Sequence, residues 1–147
     1  MGMFDAIDVA GSALSAQRLR MDVTAENLAN AETTRGAGGG PYRRKEVLLQ
    51  EAGGGFGTTL ASAMGTGAAA GPVGVQVAGI AQDTSPLRQV YDPGHPDANA
   101  QGYVQLPNVD PVTEMVDLIS SSRSYEANVT AMQTAKTMFS KTLDILR

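Results

Sequence analysis

Apolar residues recur every three or four positions at both ends of the chain and lose that rhythm in between. Near the N-terminus, Phe4, Ile7, Gly11, Leu14, Arg18, Met21, Ala25 and Leu28 fall alternately three and four apart, the spacing that lines one side of an α-helix. Asp5 and Asp8 sit near the start, where carboxylates suit the helix dipole. The same spacing runs through Met115, Leu118, Ser122, Tyr125, Val129, Met132, Lys136, Phe139, Leu143 and Leu146. Asp110 is a suitable N-cap and Pro111 a suitable first helical residue, and neither Gly nor Pro follows to Arg147. A second stripe, Ile119, Ala135, Met138 and Ile145, widens the apolar face. The pattern predicts helices over residues 3–30 and from 110 onward, the second with more than one helical neighbour.

The middle reads differently. Twelve of the 17 Gly lie between Gly36 and Gly74, a density that favours loops over regular elements. Short extended runs are expected at residues 42–49, at the alternating Val73, Val75 and Val77, at 87–91 and at 103–106. Gly79 is placed as a β-bulge residue would be, and the Asp92–Pro96 stretch has the chemistry of a turn. Residues 51–72 read as a flexible Gly-rich insertion.

Sustained three-four spacing argues for coiled-coil-like packing; a helical hairpin inside one globular domain is the simpler alternative. Two helices hide only one stripe each, so apolar stripes at both ends of a chain imply helices from other subunits. Composition sharpens this. Of 147 residues only 30 are Leu, Ile, Val or Phe, near the lower edge for a self-contained core. There is no Trp and no Cys, which excludes a disulfide framework, a zinc–thiolate site and a thiol nucleophile. The net charge of −4 is opposite to that of a general nucleic-acid binder. No apolar run is long enough for a membrane span. The N-terminus lacks a basic n-region, so no cleaved secretory signal is expected.

Candidate chemistry is sparse. His95 is the sole histidine and has no second imidazole or thiol to share a metal, so it reads as a turn residue. The glycines from Gly36 to Gly40 lack the Gly-Lys-Ser/Thr ending of a phosphate loop. Serines lack a nucleophile elbow, and no carboxylate pair stands in a setting that raises a pKa. Arg43, Arg44 and Lys45 form the one basic cluster. It is expected to make a salt-linked contact, although a membrane-surface or nucleic-acid role remains a separate reading. Arg18 and Lys136 interrupt the stripes as register-setting residues of an assembly do. No catalytic residue, metal site or cofactor is expected.

Several separated motifs occur together. Ala13, Leu14, Ala16 and Gln17 are followed by Asn27, Leu28, Ala29 and Asn30, and far downstream by Arg123, Tyr125, Glu126, Ala127 and Asn128. In this order they resemble the AL-x-AQ, N-L-A-N and R-x-Y-E-A-N elements of the flagellar basal-body rod and hook proteins. Longer members carry N-G-F after the N-L-A-N turn, where this chain has Ala31–Arg35 (AETTR). That departure, the short length, and the stretches at residues 39–47 and 90–110 are similar to the proximal-rod class, with another axial rod or hook protein as the alternative.

The resemblance implies an α+β chain with long N- and C-terminal helices packed as a coiled-coil-like hairpin completed by neighbouring subunits. A small antiparallel β element and a flexible loop lie between them. Residues 1–35 and 110–147 would form an inner rod domain and residues 36–109 a small β region. It implies a non-enzymatic structural subunit of a periplasm-spanning drive shaft that transmits torque around an export channel. Implied partners are other rod proteins, copies of itself, the MS-ring side adaptor and, during secretion without a cleaved signal, the flagellar type III export apparatus. Neither nucleic acid nor membrane insertion is implied. Subunit contacts are expected at Phe4, Ile7, Leu14, Met21 and Leu28 of the first helix. On the second they are expected at Met115, Leu118, Tyr125, Val129, Met132, Phe139, Leu143 and Leu146. Free helices with such stripes are expected to be partly disordered before assembly.

Overall fold

A computed structural model describes residues 3–36, 39–52 and 74–145, without the side chains of Met3, Phe4 and Ile145. The chain is α+β. Helix α1 (Met3–Ala29) is followed by strands β1 (Lys45–Glu51), β2 (Val75–Gln82), β3 (Arg88–Tyr91) and β4 (Tyr103–Leu106), and then by helix α2 (Pro111–Ile145). The expected sites at Phe4 and Leu146, and residues 53–72 of the loop expected at 51–72, lie outside the described side chains and residues, while Glu51 ends β1 instead of opening that loop.

Helix boundaries follow local chemistry. The Asp110 carbonyl accepts the first helical bond of α2 from Glu114 N at 3.0 Å. Its carboxylate accepts from Val112 N at 3.3 Å and from the Thr113 hydroxyl at 2.6 Å, which closes the N-terminus. These bonds, the Thr113 hydroxyl first, hold the Asp110 carboxyl below its ordinary range. Along α2 the hydroxyls of Thr130, Thr134, Thr137, Ser140 and Thr142 donate to carbonyls four residues earlier, so exposed polar groups are satisfied on the helix itself. Helix α1 ends where Asn30 N reaches the carbonyls of both Glu26 and Asn27, a tightening common in last turns.

The strands form two separate ribbons rather than one element, β1 with β2 and β3 with β4. In the first, Ala52 N donates to Gly74 O and Asp83 N to Arg44 O, each at 2.8 Å, which fixes an antiparallel sense. Between these bonds β2 carries one residue more than β1, as a β-bulge requires; Gly79 lies on that strand. β1 starts later than the extended run at residue 42, because Tyr42 N donates to Thr33 O and Arg44 N to Asn108 Oδ1 instead of to a neighbouring strand. β3 and β4 are antiparallel, with Arg88 opposite Leu106 and Tyr91 opposite Tyr103. The rings of that last pair meet edge to face at 5.3 Å. Gly102 turns this ribbon at φ +80°, and an added Cβ would lie 2.9 Å from the Tyr91 ring, so backbone and space both demand glycine.

Two compact units divide the described chain. The first comprises Met1–Leu19, Leu48–Gly79 and Ser121–Arg147, the second Arg20–Val47 and Ile80–Ser120. In the first, the Ser12 hydroxyl donates to Val9 O at 2.8 Å and accepts from Val75 N at 3.1 Å, which ties α1 to β2. In the second, Val23, Ala31, Val104, Pro107 and Val109 are buried.

Candidate functional site

The most heavily bonded side chain of the second unit is Asn27 of the N-L-A-N motif. Only 1% of it is exposed, and all its polar capacity is used. Its amide nitrogen donates to Lys45 O at 2.8 Å and to Glu114 Oε2 at 3.0 Å. Its oxygen accepts from Lys45 N and from the Tyr42 hydroxyl, both at 2.9 Å. Glu114, equally buried, takes the Arg44 guanidinium at 2.5 Å, and Arg44 also lies 3.5 Å from Asp117. Arg44 N donates to Asn108 Oδ1 at 2.9 Å. One cluster therefore joins α1, the approach to β1, the segment before α2 and the first turn of α2. A carboxylate this deep is tolerated because it is paired and hydrogen-bonded. The bond to Glu114 raises the Arg44 pKa. Burial, then the charges of Glu26 and Glu114, push the Tyr42 phenol up to about 12. A cavity of about 30 Å³ beside Asn27, Arg44 and Glu114 has room for about one water.

The basic cluster is absorbed by the chain itself. Arg44 is paired as above, Lys45 meets Glu26 at 2.5 Å, and Arg43 donates to Asp83 O at 3.3 Å. A second tie lies near the turn at His95. Asp97 accepts from the Thr34 hydroxyl at 2.8 Å and pairs with Arg35. The Thr34 bond is the first cause holding the Asp97 carboxyl below its usual range. His95 Nδ1 accepts from Asp97 N at 3.1 Å. Among the described residues, no group of three or more His, Cys, Asp and Glu is placed to hold a metal ion, and no helix is long and apolar enough to cross a membrane.

The fully buried helix residues are small or polar, with Val23, and the large residues of the apolar stripe are half-buried or exposed. On α1 the buried positions are Ala10 and Ala16 in the first unit and Val23, Thr24 and Asn27 in the second. Ala10, Thr24 and Asn27 each stand one residue before stripe positions Gly11, Ala25 and Leu28, a rotation of about 100°. Ile7, Leu14, Met21 and Leu28 are left half-buried. On α2 the inward positions are Glu114 and Leu118 in the second unit, then Ser121, Tyr125, Asn128, Met132 and Ala135 in the first. Glu114, Ser121 and Ala135 are buried and share one heptad position; the other four are half-buried. Met115, Phe139 and Leu143 are exposed and Val129 is half-buried. Val112, Val116 and Ile119, spaced four and three apart, are 63, 61 and 52% exposed.

The motif residues divide likewise. Asn30 caps α1, its amide donating to Glu26 O at 2.9 Å and its oxygen accepting from Thr33 at 3.2 Å. Gln17 Oε1 is buried without a hydrogen-bond partner among the described residues. Arg123 and Glu126 face outward, Tyr125 and Asn128 inward. Sequence reasoning overlooked Tyr42, Glu114 and Asn108. The available signal was a lone carboxylate at an inward helical position, legible only once the inward face is known.

Comparison with known proteins gives the same two ends. Residues 7–37 match the family described as flagella basal body rod protein, and residues 100–145 match the flagellar basal body rod FlgEFG protein C-terminal family. The flagellar basal-body rod protein FlgC of Bacillus subtilis is 54% identical, covering 99% of this chain and 99% of its own. The protein of that name from Borreliella burgdorferi is 45% identical over 100% of this chain and 99% of its own. That from Salmonella typhimurium is 44% identical over 99% and 98%.

Proposed function

The chain belongs to the FlgC family of flagellar basal-body rod proteins, and from that premise we propose how it enters the rod of which it is a structural subunit. Its two helices act as a coiled-coil-like hairpin whose outward apolar faces are completed by neighbouring subunits. The observation that carries this reading is the inversion of burial. On the helices Ala10, Ala16, Val23, Thr24, Asn27, Glu114, Ser121 and Ala135 are buried, while Val112, Met115, Val116, Ile119 and Leu143 are exposed. Small inward residues let segments approach closely, and large outward ones keep their hydrophobic free energy, roughly 1.5–3 kcal/mol per fully covered side chain, for contacts with other chains.

The inner rod domain is then residues 1–35 and 110–147, with residues 36–109 as the small β region carrying the Gly-rich loop. Neighbours are other rod proteins, further copies of this chain and the MS-ring side adaptor, reached after passage through the flagellar type III export apparatus. Many shared helix contacts make the proximal rod stiff enough to transmit torque across the periplasm around the export channel. The part is mechanical: the charged groups of the Asn27 cluster are bound to one another, and catalysis has no place in this reading. Absence of native Cys makes the test direct. Met115→Cys and Leu143→Cys are expected to react freely with a maleimide in the purified chain and to be shielded in isolated basal bodies. Equal labelling in both states refutes the proposal.

A further inference from the structure

The sole histidine of the chain, His95, sits in the loop that joins β3 to β4. Asp92 opens this loop, its N donating to Gly102 O at 2.9 Å and its carboxylate accepting from Gly94 N at 3.1 Å. His95 N donates to Asp92 O at 3.3 Å, and Ala98 N donates to His95 O at 3.0 Å. The half-buried His95 side chain adds one more bond, its Nδ1 accepting from Asp97 N at 3.1 Å. A ring nitrogen accepts only while it carries a lone pair, so this turn requires the neutral imidazole with its proton on Nε2. Asp97 is held from two sides. Its backbone N is bound to His95, and its carboxylate accepts from the Thr34 hydroxyl at 2.8 Å and pairs with Arg35, both just past the end of α1. The Asp97 carboxylate thus ties the loop to that segment, and the imidazole sets the backbone that presents it.

We propose that His95 is a pH-sensitive latch on this tie, closed when the imidazole is neutral and released when it is protonated. Protonation puts a hydrogen on Nδ1, which then faces the Asp97 N–H donor to donor across a hydrogen-bond distance. The turn opens at that point, and the imidazolium carries its new donor to a carboxylate. The charged groups around it are Asp92 and Asp97 in its own loop and Arg35 from the segment after α1. The two carboxylates favour the cation, and the bond from Asp97 N favours the neutral ring. Arg35 and His95 both act on the Asp97 charge, so an imidazolium competes with Thr34 and Arg35 for one carboxylate. Arg35, whose side chain is 74% exposed, is then left with a weaker partner and is available to an anion from outside. Imidazole is the side chain that ordinarily changes charge between pH 5 and 8, whereas the lowered Asp97 carboxyl titrates below that window. The device lies wholly within the second unit and stands whether or not the rod-subunit reading does.

NMR of the full chain, titrated from pH 8 to pH 5, tests it, and a sole histidine makes the imidazole signal unambiguous. At pH 8 the ring nitrogen shifts are expected to show the neutral tautomer protonated on Nε2. Through the titration the amides of Asp97, Thr34 and Arg35 are expected to shift with the midpoint of the imidazole itself. Protection of the Asp97 amide against exchange is expected to fall about tenfold, as the loss of one hydrogen bond implies. His95→Asn keeps an acceptor two residues before Asp97 N but takes up no proton, and it is expected to hold the closed shifts at both ends of the titration. His95→Ala has neither acceptor nor charge and is expected to show the low Asp97 protection at pH 8 as well as at pH 5. A neutral ring protonated on Nδ1, or Thr34 and Arg35 amides that ignore the imidazole titration, overturns the proposal. So does a pH step that survives in His95→Asn, or a fully protected Asp97 amide in His95→Ala. The titration of the unaltered chain decides the matter even where a variant misfolds.

Discussion

Asn27→Ala separates a buried keystone from an ordinary helix-end amide, because Asn30 of the same motif supplies the control. Truncating Asn27 removes four hydrogen bonds and leaves Lys45 N, Lys45 O, the Tyr42 hydroxyl and Glu114 Oε2 without their partner. Each such group costs about 1–3 kcal/mol if it stays dry. Water entering the vacated space recovers part of that for Lys45 and Tyr42, which are half-buried. Glu114 keeps Arg44 at 2.5 Å, so its charge is not orphaned. A total of about 3–5 kcal/mol follows. Asn30→Ala gives up the bonds to Glu26 O and Thr33 near solvent and costs about 0.5–1 kcal/mol. Urea unfolding of the free chain followed by circular dichroism reads both. With a slope of about 1–3 kcal/mol per molar, Asn27→Ala shifts the midpoint by more than about 1 M and Asn30→Ala by well under that. Asn27→Asp refines the test: it keeps the acceptor for Lys45 N and Tyr42 but turns the donor into a carboxylate facing Glu114 Oε2 and Lys45 O. It is expected to be at least as damaging as Ala at pH 7. Equal shifts for positions 27 and 30, or a benign Asn27→Asp, would refute the idea that a saturated amide holds these segments.

Other outcomes can be checked independently. Asp83, Asp97 and Asp110 all have depressed carboxyl pKa values in the folded chain, so their contribution is full above the unfolded value near 3.8 and is lost as pH falls below it. Acid titration should therefore loosen the second unit below about pH 4, and Thr34→Val should shrink the Asp97 part, read by NMR of the Asp97 carboxyl. The Tyr42 phenol is raised to about 12, so stability present below pH 10 is lost as pH rises through about 12. Because Tyr42 is only half-buried, the effect is about 1 kcal/mol after screening, and Tyr42→Phe should abolish that alkaline step. Gly102→Ala forces a left-handed φ and a 2.9 Å approach to Tyr91; a loss of about 1–3 kcal/mol is expected, and an unchanged melting curve would contradict it. Removing residues 139–147 deletes exposed Phe139 and Leu143 and is expected to block incorporation into the rod while leaving export largely intact. Normal motility of that truncation would rule it out.

How much of this was legible in the sequence depends on whether the physics is local. Helix ends were: Asp110 before Pro111 states where α2 begins, and three-four spacing states that α1 and α2 exist. The run at β2 was legible from alternation and those at β1, β3 and β4 as short extended runs, although their pairing into two ribbons was not. The Asn27 cluster could not be read, since its members are separated by 15, 18 and 87 residues and none leaves a periodic trace. The inward face was obscured for a different reason. Hydrophobic periodicity reports the sum of every surface a helix will ever bury, and large side chains dominate that sum. In a self-contained domain the strongest stripe is the core. Here Thr24, Asn27, Glu114 and Ser121 are buried, while of the main stripe Leu118, Tyr125 and Met132 are half-buried and Met115, Phe139 and Leu143 are exposed, so the strongest signal does not coincide with the face that is buried. A polar inner seam also discriminates better than an oily one. A one-residue slip would strand Glu114 without Arg44, a penalty of several kcal/mol, whereas aliphatic side chains tolerate sliding. The polar seam fixes register within the subunit, and in the assembly proposed above the outward aliphatic faces are what neighbours cover.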